Sequence, residues 1–334
     1  MSIYPENMKF LLMIGSVLVA ALFLLPQLVW FLTWAAGRIF AFRVAYKPFL
    51  IASCVLVALS LCVFVYGYTA GRTHYEVKHV DLEFVTLPQA FDGYRIVQIS
   101  DLHLGLMHGC EDFLSAAVDE INSMNPDAIC FTGDLVSGTH EEMDGLTPIL
   151  QKLSAKDGVF SVMGNHDYAP YIEMDDSLRE KEISVLQERV RGELAWVLLL
   201  NQNRVIKRGN DSIAIAGVEN QSYSFTRHLQ YGDLKKALKG VDGVFTVLLS
   251  HDPTHWRAEI LPETGVPLTL SGHTHAAQIK IFGFTPASWV FKETDGLYEE
   301  DGRYLYVNIG LGGVVPFRLG ATPEITVIDL HCKR

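Results

Sequence analysis

Residues able to hold a metal recur along the chain in a fixed kind of setting. The series runs Asp101-x-His103, Gly133-Asp134, Gly164-Asn165-His166-Asp167, His251, and Gly272-His273-x-His275. Carboxylate, amide oxygen and imidazole without any thiolate suit Mn²⁺, Fe or Zn²⁺ in a reactive site better than a structural zinc. Asp101, His103, Asp134, Asn165, His251, His273 and His275 are too many ligands for one ion. If Asp134 bridges, two ions can sit about 3.5–4 Å apart, the arrangement that clamps attacking and leaving oxygens in phosphoryl displacement. Such a pair also lowers the pKa of water held between the ions, which supplies hydroxide near neutral pH without a protein nucleophile.

The elements that must position these groups are short apolar runs. Tyr94 to Ile99, Ala128 to Thr132 and Val159 to Met163 read as buried strands, with helices over Glu111 to Met124 and Glu141 to Lys152 between them. Further strands are expected at Trp196 to Leu200, Ile213 to Val218, Phe245 to Leu249, Leu268 to Leu270, Leu305 to Asn308 and Ile325 to Leu330. The alternation is that of an α/β protein. Asp101, Asp134 and Asn165 each follow a strand at intervals of roughly 30 residues, the length of one β-α-β unit, so three βα turns aim oxygens at one crevice. Glycines before Asp134, Asn165 and His273 allow the tight turns this needs. The charged stretch Glu173 to Glu193 reads as a solvated surface helix.

The first quarter has another character. Through Lys78 the formal charge is +4, and from residue 79 onward it is −15. An acidic surface repels phosphate backbones and argues against nucleic-acid binding. Phe10 to Trp34 and Phe49 to Ala70 carry no formal charge and are long enough to span a bilayer as a hairpin. The expected organisation is therefore a membrane anchor over 1–78, with spans at about 10–34 and 49–70, and a soluble unit over 79–334. A cell-membrane location follows, with the bacterial inner membrane as the expected one. Arg38, Arg43 and Lys47 in the connecting loop stand against Lys9, Arg72 and Lys78 in the outer flanks, a weak bias that, taken literally, places the loop in the cytoplasm and the soluble unit outside and leaves the side of that unit open. Cys54, Cys62, Cys110, Cys130 and Cys332 form no disulfide pattern and read as small buried side chains.

The ordered set of motifs from Asp101 to His275 resembles the calcineurin-like metallophosphoesterases, over about Asp81 to Leu330, and with the hairpin in front it is similar to their bacterial membrane-associated members. The resemblance implies a four-layer α/β/β/α sandwich of two mixed sheets. It assigns Asp101, His103, Asp134 and His275 to one metal, and Asp134, Asn165, His251 and His273 to the other. His166 would stabilise phosphoryl oxygens or protonate the leaving group, and Asp167 would orient it. Relatives often have Gly-Gly where this chain has Ala276 and Ala277, and often Arg where Ile309 follows Asn308. A missing Arg removes a bidentate phosphate donor, which Arg318 could replace. His108 is a candidate rim contact, and Tyr168 and Tyr171 are candidate contacts for a substrate's organic portion. His74, His79, His140, His228, His255 and His331 receive no role.

The expected activity is a membrane-anchored phosphoesterase that uses two divalent ions, Mn, Fe or Zn, and metal-bound hydroxide to break a phosphoester or pyrophosphate bond. The hairpin points to a lipid-linked substrate. Family members that cleave a UDP-linked acyl sugar fit that idea and would require a cytoplasmic site. The competing reading is a catalytically silent metal-binding membrane scaffold, against which the complete ligand set argues. Two spans without charged residues offer no ion path for transport.

Overall fold

A computed structural model describes residues 4–224 and 229–333, so His228 lies outside the described residues. Two long helices come first, α1 over Tyr4–Phe40 and α2 over Lys47–Tyr68. Both are long and apolar enough to cross a membrane, and among the described residues no other helix is. Helix α1 runs past the expected end at Trp34, through Gly37 to Phe40; the turn comes at Ala41, with φ 59°, ahead of Pro48. Ser53 donates to the Phe23 carbonyl at 2.7 Å and accepts from Gln27 at 2.8 Å, a polar contact that joins two otherwise apolar helices. Cys54 and Cys62 face outward from α2, and only Cys130 of the five cysteines is buried. The expectation of buried cysteines fails for Cys54 and Cys62 because α2 packs on little of the protein besides α1 and leaves most of its apolar side chains exposed.

Beyond the hairpin the described residues form twelve strands: β1 (Glu76–Phe84), β2 (Tyr94–Ile99), β3 (Ala128–Phe131), β4 (Val159–Ser161), β5 (Val197–Leu198), β6 (Gln202–Arg208), β7 (Asp211–Gly217), β8 (Phe245–Leu249), β9 (Leu268–Ser271), β10 (Gly296–Glu300), β11 (Arg303–Val307) and β12 (Glu324–Cys332). They form two six-stranded mixed sheets, ordered β1-β12-β2-β3-β4-β5 and β10-β11-β9-β8-β7-β6. Phe84, Ile96, Cys130 and Phe160 of the first sheet pack on Ile215, Val247, Leu249 and Leu270 of the second, burying the apolar face of both. Helices α3 (Glu111–Ser123), α4 (Thr147–Leu150) and α5 (Asp176–Gly192) cover the outer face of the first sheet. Trp256 and Ile260 with Leu234 and Ala237 cover the second. Helix, sheet, sheet and helix thus make the four layers of the expected sandwich.

Three strands were not expected: β1, β6 and β10. All three are edge strands, where partial exposure puts charges such as Lys78, Arg204 and Glu299 among the apolar residues and dilutes the pattern. The helix expected over Glu141 to Lys152 is broken into a turn at His140–Met143 and the short α4, because Gly145 sits at φ 78° and Pro148 restarts the helix. The helix expected at Glu173 to Glu193 is α5, with Leu186 and Val190 buried and the charges outward.

Candidate metal centre

Parallel strands of both sheets end at one crevice. From the first sheet β2 leads to Asp101 and His103, β3 to Asp134 and β4 to Asn165 and His166; from the second β8 leads to His251 and β9 to His273 and His275. Backbone bonds carry the ladder into the loops: Asp101 N–H donates to Gly133 at 2.9 Å, and Gly272 N–H to His251 at 2.9 Å. The buried Gln98 side chain donates to the Ser271 carbonyl at 2.8 Å and ties the sheets together beneath the site. Asp101, His103, Asp134, His273 and His275 all take positive φ, between 47° and 74°. Each such residue carries roughly 1–2 kcal/mol of backbone strain, and the strain is concentrated where the side chains converge.

The structure brings all seven expected ligand residues together. His103 Nε2 lies 3.3 Å from His275 Nε2 and 3.6 Å from Asp134 Oδ2, and His275 Nε2 lies 3.3 Å from Asp101 Oδ1. On the other side of the same carboxylate, His251 Nε2 is 3.2 Å from Asp134 Oδ2, 3.1 Å from Asn165 Oδ1 and 3.2 Å from His273 Nδ1. Donor atoms around a tetrahedral ion at about 2.1 Å would be separated by roughly 3.4 Å, so these spacings fit a metal. The chemistry fits as well. Ring nitrogens and carboxylate oxygens converge on one another at 3.2–3.6 Å, an arrangement a cation satisfies.

Surrounding groups fix which atoms face inward. His251 Nδ1–H donates to the Thr132 carbonyl at 2.7 Å, leaving Nε2 for the site. Asn165 Nδ2 donates to the Tyr171 hydroxyl at 3.0 Å, which turns the amide oxygen toward His251. Burial, with repulsion from His166, holds His103 neutral down to about pH 3, and burial with repulsion from His103 holds His275 well below its ordinary value. Both therefore offer lone pairs. Burial pushes the Asp101 carboxyl up to about 7, whereas at Asp134 the nearby His251 and His166 outweigh burial and hold the carboxyl well below the usual range. Burial lowers His251, but Asp134 outweighs it and carries the imidazole up to about 10. The negative potential of Asp134 and Asp101 thus draws positive charge to the place where a cation would sit.

His166 and Asp167 differ from expectation in one respect. Asp167 does not orient His166; its Oδ2 accepts from the backbone of Asp134 and Gly164, each at 2.9 Å, and its Oδ1 from Leu135 and Val136 at 2.9 and 3.1 Å. It fixes the turn that carries Asp134. The partner of His166 Nδ1 is the Ser137 carbonyl at 3.0 Å, and a carbonyl acceptor leaves no signature in sequence. Glu142 is another residue the sequence did not single out: it binds Gly105 N–H at 2.8 Å and Ser137 N–H at 2.7 Å, joining the first two loops. Asp252 stands 3.5 Å from His273 Nε2, and its position next to His251 was the available clue.

Arg318 is no substitute phosphate donor. It is buried, and its guanidinium donates to the carbonyls of Ile309, Gly310, Gly312 and Ala321. Tyr168 is buried as well, donating to Glu219 at 3.0 Å and stacking on Tyr231, whereas Tyr171 is exposed with its ring 4.5 Å from His166. His108 bonds the Glu142 carbonyl at 3.1 Å.

A family model for calcineurin-like phosphoesterases matches residues 94–277, the segment that carries every residue of this crevice. The chain belongs to that family. It is 32% identical over 280 residues to the uncharacterized metallophosphoesterase YkuE of Bacillus subtilis, covering 79% of this chain and 89% of that one. It is 30% identical over 295 residues to the UDP-2,3-diacylglucosamine pyrophosphatase LpxG of Chlamydia trachomatis, covering 72% and 86%. It is also 29% identical over 272 residues to a transmembrane protein with metallophosphoesterase domain from Danio rerio, covering 80% of this chain and 60% of that one. The protein is a metal-dependent phosphoester hydrolase. Its two apolar helices and its transmembrane relatives together indicate membrane association.

Proposed function

We propose that residues 79–334 form the catalytic unit, that residues 1–78 anchor it to a cell membrane, and that it hydrolyses a phosphoester or pyrophosphate bond of a lipid-linked substrate. One observation carries the reading: Asp134 Oδ2 faces His103 on one side and His251 on the other, at 3.6 and 3.2 Å. On this reading Asp101, His103, Asp134 and His275 hold one divalent ion and Asp134, Asn165, His251 and His273 a second, drawn from Mn, Fe or Zn. When bound, such ions supply Lewis-acid charge and an activated water.

The chain's own residues have distinct tasks. His166, its Nδ1–H held by Ser137, presents Nε2 to the substrate; protonated, it stabilises phosphoryl oxygens and gives its proton to the departing oxygen as the P–O bond breaks and the bond from water forms. Asp167 acts through position, keeping the Asp134 turn in place. Exposed Tyr171 beside His166 is the side chain suited to contact the organic portion. The silent-scaffold alternative has no observation in its favour, since all seven ligands and His166 converge.

The relative LpxG supports a nucleotide-linked acyl sugar as the first substrate to try. Full-length protein in detergent with Mn²⁺ is to be incubated with UDP-2,3-diacylglucosamine. Release of UMP with the lipid phosphate, abolished by chelator, is the expected result. Turnover of bis-nitrophenyl phosphate without any attack on the lipid nucleotide would remove that substrate and leave the phosphoesterase.

A further inference from the structure

Between the last metal-ligand motif and β10 the chain throws out a loop with an apolar tip. Phe282 is 105% exposed and Trp289 78%, and Ile281, Phe284 and Val290 are exposed with them. Ile281 and Phe284 exchange both backbone hydrogen bonds, at 2.9 and 3.0 Å, so Phe282 and Gly283 make a two-residue turn with φ 50° and 83°. That turn favours Asn-Gly. A phenylalanine there carries left-handed strain and gains no burial in return, because its ring meets nothing in the protein. Neither the core nor the turn explains the residue.

The neighbourhood offers an explanation. The backbone of Lys280 donates to Leu319 at 2.8 Å, and the adjacent Arg318 N–H donates to Gly67 at the end of α2 at 3.0 Å. Phe317 packs on Phe64 of the same helix with the rings tilted and their centroids 6.1 Å apart. The base of the loop is thus two backbone hydrogen bonds away from the last turn of α2. At its other end it grips the site: Thr285 donates to the Ala276 carbonyl, and Phe291 packs edge-to-face on His273 at 5.4 Å. Aromatic side chains at a helix exit are the composition of a bilayer interface.

We propose that the tip of the 281–290 loop inserts into the bilayer interface beside the hairpin, a second membrane attachment that holds the His273–His275 side of the metal centre at the lipid headgroups. The proposal rests on the reading of the chain as a membrane-anchored phosphoesterase and adds where its mouth lies.

Tryptophan quenching tests it on the full chain. In the W30F/W34F background the remaining tryptophans are Trp289 and the buried Trp196 and Trp256. Reconstituted into phosphatidylethanolamine–phosphatidylglycerol vesicles, this protein should lose about half of its Trp289 emission when the acyl chains are brominated, and W30F/W34F/W289F should show no such component. Quenching of Trp289 by aqueous acrylamide but not by brominated lipid would overturn the proposal, whether the tip then meets water or another protein. As a second arm, F282D/W289D should turn over soluble bis-nitrophenyl phosphate like the parent and hydrolyse UDP-2,3-diacylglucosamine in vesicles at least about fivefold more slowly. Equal loss on both substrates would overturn it too. Parent protein inactive on both would remove the enzyme reading, while the quenching result would still decide the loop.

Discussion

Gly164 offers a substitution whose effect can be worked from distances. It sits between β4 and Asn165, and its φ lies outside the left-handed region, so the backbone accepts any residue there. Only space forbids one. A methyl group at Gly164 would lie 2.2 Å from Asp134 Oδ1, 2.6 Å from the Asp134 nitrogen and 2.7 Å from His251 Cε1, where real contacts stay beyond 3.0 Å. The carboxylate facing both ligand groups must therefore retreat by about 0.8 Å, and the imidazole beside it by a further few tenths, in an interior packed too densely to absorb the shift elsewhere. Misplacement of about 1 Å at a catalytic constellation costs roughly 100-fold in rate, or about 2.7 kcal/mol. Gly164→Ala should thus lower kcat/KM on bis-nitrophenyl phosphate by about 100-fold and reduce bound metal per chain, measured by elemental analysis, with an unchanged circular dichroism spectrum. A variant with parental kcat/KM and parental metal content would refute the claim that Asp134 and His251 must hold these positions.

The remaining predictions concern stability and pH. Arg318→Met strips the buried carbonyls of Ile309, Gly312 and Ala321 of the guanidinium donor and leaves Gly310 with the Glu324 N–H alone, which should cost roughly 3–5 kcal/mol and lower the melting temperature by about 10 °C in a thermal scan of the full-length protein. Ala276 and Ala277 share a φ of about 50°, but only Ala276 is buried, against Ile309 and Ala321. Ala277→Gly should therefore stabilise by about 0.5 kcal/mol through released strain, net of the greater freedom of the unfolded glycine, while Ala276→Gly loses a buried methyl worth about 0.8 kcal/mol and gains nothing overall. Burial pushes Asp127 up, but hydrogen bonds from the Arg95 backbone, Lys156 and Arg208 outweigh it and hold the carboxyl below its ordinary value. Its contribution is fully present above the unfolded value, near 3.9, and is lost as pH falls through the folded one, so Asp127→Asn should lower the melting temperature at neutral pH and flatten its decline in acid.

The site was legible in the sequence to an unusual degree because its chemistry is carried by residue types that stand out against strands of Val, Ile and Leu. Asp134 and His251 each follow a run that is fully buried, and Asp101 one buried at all but Arg95, and both their identity and their place follow from that contrast. Central strands were legible for the same reason. Edge strands β1, β6 and β10 were not, since exposure mixes charge into them. Roles that depend on backbone were equally invisible: the Ser137 carbonyl that orients His166, the four N–H groups that occupy Asp167, and the carbonyl cage that consumes Arg318. In each case a side chain's type was readable and its partner, set by tertiary packing, was not.

The central claim is that seven side chains make a two-ion centre that hydrolyses phosphoesters. The direct measurement is metal content and turnover of the full-length protein in detergent, loaded with Mn²⁺ and assayed on nitrophenyl phosphate and bis-nitrophenyl phosphate beside Asp134→Asn. The account predicts two ions per chain, turnover that chelator removes, and loss of both an ion and activity in the variant. Two tightly held ions with no turnover of either ester, or an Asp134→Asn protein as active as the parent, would contradict it.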